Sequence, residues 1–142
     1  MTWVFWALLS ALFAGATAVL AKVGVAGVDS NLATAIRTAV ILVFAWVIAG
    51  VTAKPGALQE LTGRNWLFLV LSGLATGLSW LCYFRALQLG EASQVAPVDK
   101  LSVVFVLVFA ALFLREPLTL RTVAGVLLVT GGALVLAWKP TA

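Results

Sequence analysis

Histidine is absent from the 142 residues, cysteine occurs once, and charged side chains make up only 10%. Without histidine, and without a clustered pair of acids inside the apolar segments, the usual hydrolytic and metal chemistries lack their groups. No enzyme activity, catalytic residue, metal or cofactor is therefore expected. The single Cys82 excludes an intrachain disulfide; beside Trp80 and Tyr83 it reads as a small apolar filler. So low a charge content also excludes an ordinary soluble domain, in which about 25% of residues are charged. The dyad alternation of a β-barrel is missing, as is a basic leader before Trp3, so the first apolar run is expected to be a retained span.

What is present is hydrophobic: 63% of the residues, with a mean hydropathy of +1.15. Long continuous apolar runs satisfy their backbone in lipid only as helices, so the expected fold class is an all-α integral membrane protein. Five spans can be cut: Trp3 to Ala21, Ala33 to Val51, Asn65 to Gln88, Gln94 to Leu114 and Leu118 to Trp138. Each approaches the roughly 20 residues that cross a hydrocarbon core of about 30 Å. The stretches "GVDSN" and "AKPGALQELTGRN" separate the first three, Gly90 is placed to end the third helix, and Glu116-Pro117 parts the fourth from the fifth. Ser93 is the expected N-cap of the fourth helix. Short connections make successive helices antiparallel neighbours.

Lys54, Arg64, Arg115 and Arg121 fall on the side of the N-terminus, and Lys22, Arg85 and Lys139 towards the other. This asymmetry mildly favours an N-inside orientation and also suits a chain that inserts both ways. Ala7, Ala11 and Gly15 recur every four residues, Gly73 and Gly77 form a G-x-x-x-G, and Gly125 and Gly132 stand two turns apart. Such faces allow close helix approach, within one bundle or between subunits. Five helices alone leave little room for a path across the membrane, which favours an oligomer.

A charge inside a span costs at least a few kcal/mol at the bilayer centre, on the order of 3 by insertion scales. Lys22, Arg37, Arg85, Asp99 and Lys100 raise that question. Lys22 and Arg85 lie near helix ends, within reach of the interface, although Lys22 shares a face with Ala14 and Ala18. Arg37 is about one turn inside the second span. With Ser93 as N-cap, Asp99 falls in the second turn of the fourth helix, where the dipole favours an anion and disfavours Lys100. Residues adjacent in a helix point about 100° apart, so Asp99 is expected to pair with Arg37 or Lys22 and leave Lys100 for a solute. Pro97 adds irregularity by withholding an amide from the carbonyl of Ser93. A helix start of this kind can line a solute site, and the alternative is a fixed ion-pair network.

The stretch "YFRALQLGEASQVAPVDKLSVVFVLVFAALFLREPLTLRTVAGVLLVTGGALVLAW", with "AGATAVLAKVGV" and "AIRTAVIL" upstream, resembles one EamA-type repeat of the drug/metabolite transporter superfamily. The elements are the Lys22 and Arg37 positions, Tyr83 to Leu87, Ala92-Ser93, Leu114 to Glu116 and the glycine-bearing fifth helix. The likeness implies that residues 1–142 form a single five-helix repeat, half of a ten-helix inverted-repeat transporter fold. "PVDKLS" looks closer to the family's short, one-repeat subgroup, with Val103 in place of the usual proline. A homodimer, parallel or antiparallel, or an inverted homologous partner chain would then complete a central cavity. Lys22, Arg37, Trp80, Tyr83, Asp99 and Lys100 are the candidate cavity-lining or substrate-binding residues.

The leading function is a secondary transporter, exporter or importer, of small metabolites or drugs in a bacterial or archaeal inner membrane. The alternative is an accessory subunit of a hetero-oligomeric transporter or a lipid-linked-solute flippase. The partners implied are the lipid bilayer and a small-molecule solute, with no nucleic acid. Four cations against one anion among the intramembrane charges favour anionic or zwitterionic solutes.

Overall fold

The computed structural model describes residues 2–138; Lys139, counted above, lies outside them. Helices α1 (Trp3–Gly24), α2 (Ser30–Thr52), α3 (Gly63–Leu89), α4 (Ala92–Asp99), α5 (Ser102–Phe109) and α6 (Leu120–Ala137) follow in chain order, with a π-helical turn at Ala110–Leu114 after α5. No strand occurs among the described residues. Taking Ala92–Leu114 as one span, five helical segments are long and apolar enough to cross a membrane. The chain is an all-α, multi-pass integral membrane protein. Its surface accords with this: side chains such as Leu8, Val43, Phe68 and Phe113 are exposed, as faces turned to lipid require.

Local chemistry sets the helix ends. The Asp29 carboxylate accepts from the amides of Asn31 (2.9 Å) and Leu32 (3.0 Å) and starts α2. Thr62 Oγ1 accepts from the Asn65 amide at the start of α3, and Thr119 Oγ1 from the Thr122 amide at the start of α6. Inside the spans the hydroxyls of Thr34, Thr38, Thr52 and Thr76 donate to the carbonyl four residues back, so that these four donors are satisfied within their own helices. The glycines with positive φ are Gly27 (φ 73) and Gly56 (φ 83), both in turns.

The chain divides into two compact units. A discontinuous unit takes in Met1–Val23 and Leu89–Ala142, and a continuous unit takes in Gly24–Gln88. In the discontinuous unit α4 packs against α6, which α5 also touches; Ala18 and Ala133 are buried there. In the continuous unit α2 and α3 meet through side chains, and Val25, Ser30, Thr34, Phe84 and Leu87 are buried. The small-residue faces are not consumed by this packing. A Cβ added at Gly15, Gly125 or Gly132 meets no atom within 4 Å in the discontinuous unit, nor does one at Gly73 or Gly77 in the continuous unit.

The fourth span differs from expectation. Glu91, not Ser93, is the N-cap of α4 (φ -77, ψ 144). The two-residue connection Gly90-Glu91 turns the chain at once, and the Glu91 carbonyl already accepts from the Gln94 and Val95 amides. Asp99 is therefore the last residue of α4, and Lys100 is its C-cap. Between Pro97 and Val104 the bonding tightens to i→i−3: Lys100 to Pro97, Leu101 to Val98, Val103 to Lys100 and Val104 to Leu101, all at 2.9 to 3.0 Å. The span ends in the π-helical turn, closed by Arg115 in the left-handed region (φ 55), with the Glu116 amide donating to the Ala110 carbonyl at 3.2 Å.

Candidate functional site

In the continuous unit, Trp80 and Phe84 are four residues apart and share one face of α3. The Arg37 guanidinium of α2 lies over both rings, 4.5 Å from the Trp80 centroid and 5.4 Å from that of Phe84. Tyr83 meets Phe84 edge-on, with centroids 6.4 Å apart. One turn further along α3, Gln88 Nε2 donates to the Val28 carbonyl at 2.6 Å, while Arg85 donates to Gln88 Oε1 at 2.9 Å. These bonds tie the end of α3 to the turn before α2, and so hold Trp80 and Phe84 opposite Arg37. Phe84 and Gln88, not expected from the sequence, join the expected Arg37, Trp80 and Tyr83 here. The i, i+4 series Trp80, Phe84, Gln88 was the available signal.

Arg37 stands seven residues beyond Ser30, about 10 Å along the helix, nearly two turns inside rather than one. A cation–π contact contributes up to about 2 kcal/mol when desolvated, against about 3 kcal/mol for an arginine at the centre of a span. The aromatic faces thus offset most of the cost without an acid. Of the unit's two carboxylates, Asp29 caps α2 and Glu60 lies beyond the other end of that helix. Within this unit Arg37 makes no hydrogen bond or ion pair with a described residue.

The discontinuous unit brings together Asp99 and Lys100. Their charged groups are 3.6 Å apart, with side chains 39% and 61% exposed respectively. The expectation that adjacent residues could not pair took the angle between their Cβ directions as decisive and left out the reach of the Lys100 side chain. The two side chains bend towards one another across that angle, and each charge gains a helix end: Lys100 at the C-terminus of α4, Asp99 just ahead of α5. Lys22, in the last turn of α1, donates to the Gly90 carbonyl at 2.7 Å. Thr130 Oγ1 on α6 is buried with no hydrogen-bond partner among the described residues.

A pocket of about 600 Å³ opens at the C-terminal end of α2, lined mainly by apolar groups including Trp46, Gly50 and Leu61, with Lys54 as its cation. Nothing in the sequence reading pointed to it. Among the described residues no group of three or more acids and cysteines is placed to hold a metal ion.

Compared with known proteins, residues 1–138 match the EamA-like transporter family. The uncharacterized transporter in the cobO 3' region of Sinorhizobium sp is 59% identical over 139 residues, 96% of each chain. The uncharacterized transporter YvbV of Bacillus subtilis (strain 168) is 33% identical over 102 residues, which cover 72% of this chain and 33% of YvbV. No solved structure matches.

Proposed function

We propose, because this chain belongs to the EamA-like transporter family, that it is a secondary transporter of small metabolites or drugs in a bacterial or archaeal inner membrane. Residues 1–142 serve as one five-helix repeat, and two such chains, or this chain and an inverted relative, enclose the solute path. The candidate lining residues are Lys22, Arg37, Trp80, Tyr83, Asp99 and Lys100. The observation that carries the paired unit is the vacancy beside Gly73 and Gly77. A G-x-x-x-G face spares volume for a second helix, and no atom of its own unit occupies that volume. The nearly balanced Lys and Arg distribution is consistent with antiparallel pairing.

Replacing Gly73 and Gly77 together by Ile tests this reading. Mass measurement in nanodiscs should show the wild-type pair and a monomeric variant. Uptake and efflux in proteoliposomes, over a panel of charged and neutral metabolites, should be lost with the pair. A strictly monomeric preparation that still transports would contradict it.

A further inference from the structure

We infer that Arg37 is an oxyanion clamp: its guanidinium, held against Trp80 and Phe84, binds the carboxylate or phosphate of the molecule this protein handles. The inference rests on the transport reading above and narrows its solute to an oxyanion class, but its test reads binding without requiring transport.

The two rings take up contact with the cation's π-surface, at 4.5 and 5.4 Å. They accept no conventional hydrogen bond from it, so its fork of N–H donors remains to be matched. Within the unit no acid, carbonyl or amide among the described residues does so, and the unit's carboxylates are accounted for elsewhere. Donors half-buried at about 10 Å along a membrane span require an acceptor. A planar oxyanion meets the fork with two parallel bonds, a match that an ammonium cannot reproduce. The site is also built to hold the cation still. Phe84 is 3% exposed, and Gln88 anchors the same face of α3 to the Val28 carbonyl. A preset guanidinium loses little freedom on binding, which favours recognition over simple charge attraction. The flat surfaces of Trp80 and Tyr83 beside it suit the apolar body of an organic acid.

Trp80 supplies the readout, because a ligand on Arg37 changes the charge against its ring. Purified protein in phosphatidylcholine nanodiscs is titrated with acetate, benzoate and inorganic phosphate, and with acetamide and benzamide as uncharged counterparts. At least one oxyanion should change the tryptophan fluorescence saturably while its amide does not. Calorimetry should give the same affinity. Trp80→Phe keeps a π-face and should lose the optical change while retaining calorimetric binding. Arg37→Lys, which keeps the charge, and Arg37→Met should each weaken binding at least tenfold. Phosphatidylglycerol discs identify the source: suppression of the oxyanion response there makes an anionic lipid headgroup the occupant, and an unchanged response makes it a free solute. Equal responses to acids and amides, no response to any oxyanion, or unaltered binding by Arg37→Met would overturn the clamp. Retained uptake of a neutral solute in proteoliposomes would then leave the transport reading standing.

Discussion

Arg37 in the continuous unit and Lys100 in the discontinuous unit are both cations placed inside apolar spans, and they are accommodated by opposite means. Arg37 sits on a regular helix, and its charge faces the π-surfaces of Trp80 and Phe84. Lys100 sits where the helix tightens, with the carboxylate of the preceding residue 3.6 Å away. A π-face softens the cost of a charge yet leaves its hydrogen bonds unmade, whereas a carboxylate 3.6 Å away supplies a full opposite charge. The first arrangement therefore keeps an appetite for an anion that the second satisfies locally. Exposure adds to the contrast, since a pair as accessible as Asp99 and Lys100 contributes at most about 1 kcal/mol.

The sharpest way to break this comparison is Trp80→Leu, which keeps apolar volume and deletes the larger π-surface. Loss of about 1 to 2 kcal/mol of cation–π attraction should lower solute affinity by roughly tenfold, with insertion preserved. Wild-type affinity in that variant would mean the ring is packing only.

A smaller effect is expected at the paired charges. Lys100→Met should reduce transport several-fold while the protein inserts and folds normally. Asp99→Asn, which leaves Lys100 without its counter-charge, should change stability by no more than about 1 kcal/mol. The double variant measures their coupling. Severe loss of insertion in both single variants, with no further loss in the double, would make the pair a structural network and erase its difference from an ordinary buried ion pair.

The smallest expected change concerns Arg115, whose left-handed backbone closes the fourth span. A residue with a Cβ costs about 1 to 2 kcal/mol in that region relative to glycine, so Arg115→Gly should stabilise the protein by about 1 kcal/mol in denaturant unfolding. A destabilised variant would show that the arginine side chain, like Arg37, makes contacts that outweigh its backbone strain.

The five spans were legible because hydropathy and span length are properties of the chain itself. Ends were legible to within a few residues where polar punctuation marked them, as with "GVDSN", which was read as a separator and whose Asp29 caps α2. Ser93 misled because a good capping side chain lost to the shortness of the Gly90-Glu91 turn. The aromatic seat of Arg37 was partly legible: its members were noticed singly, but only packing of α2 against α3 selects Phe84. The Asp99–Lys100 contact was not legible at all, since it depends on side-chain rotamers that bring the Lys100 ammonium back towards the neighbouring carboxylate. The units also differ in legibility, in that one is the single stretch Gly24–Gln88 whereas the discontinuous unit draws on both ends of the chain.

The tightened stretch between Pro97 and Val104 also sets the phase of the fourth span. A 3₁₀ turn advances each residue by about 120° where an α-helix advances it by about 100°, so every tightened step rotates the later residues relative to a uniform helical wheel. The π-helical turn at Ala110–Leu114 then unwinds part of that excess before the chain leaves the span. A wheel drawn through Ala92–Leu114 as one helix therefore assigns residues such as Phe105 to the wrong azimuth. Reagents that label one face of α4 will find the corresponding face of α5 shifted around the axis, as though two short screws of the same hand had been joined out of thread.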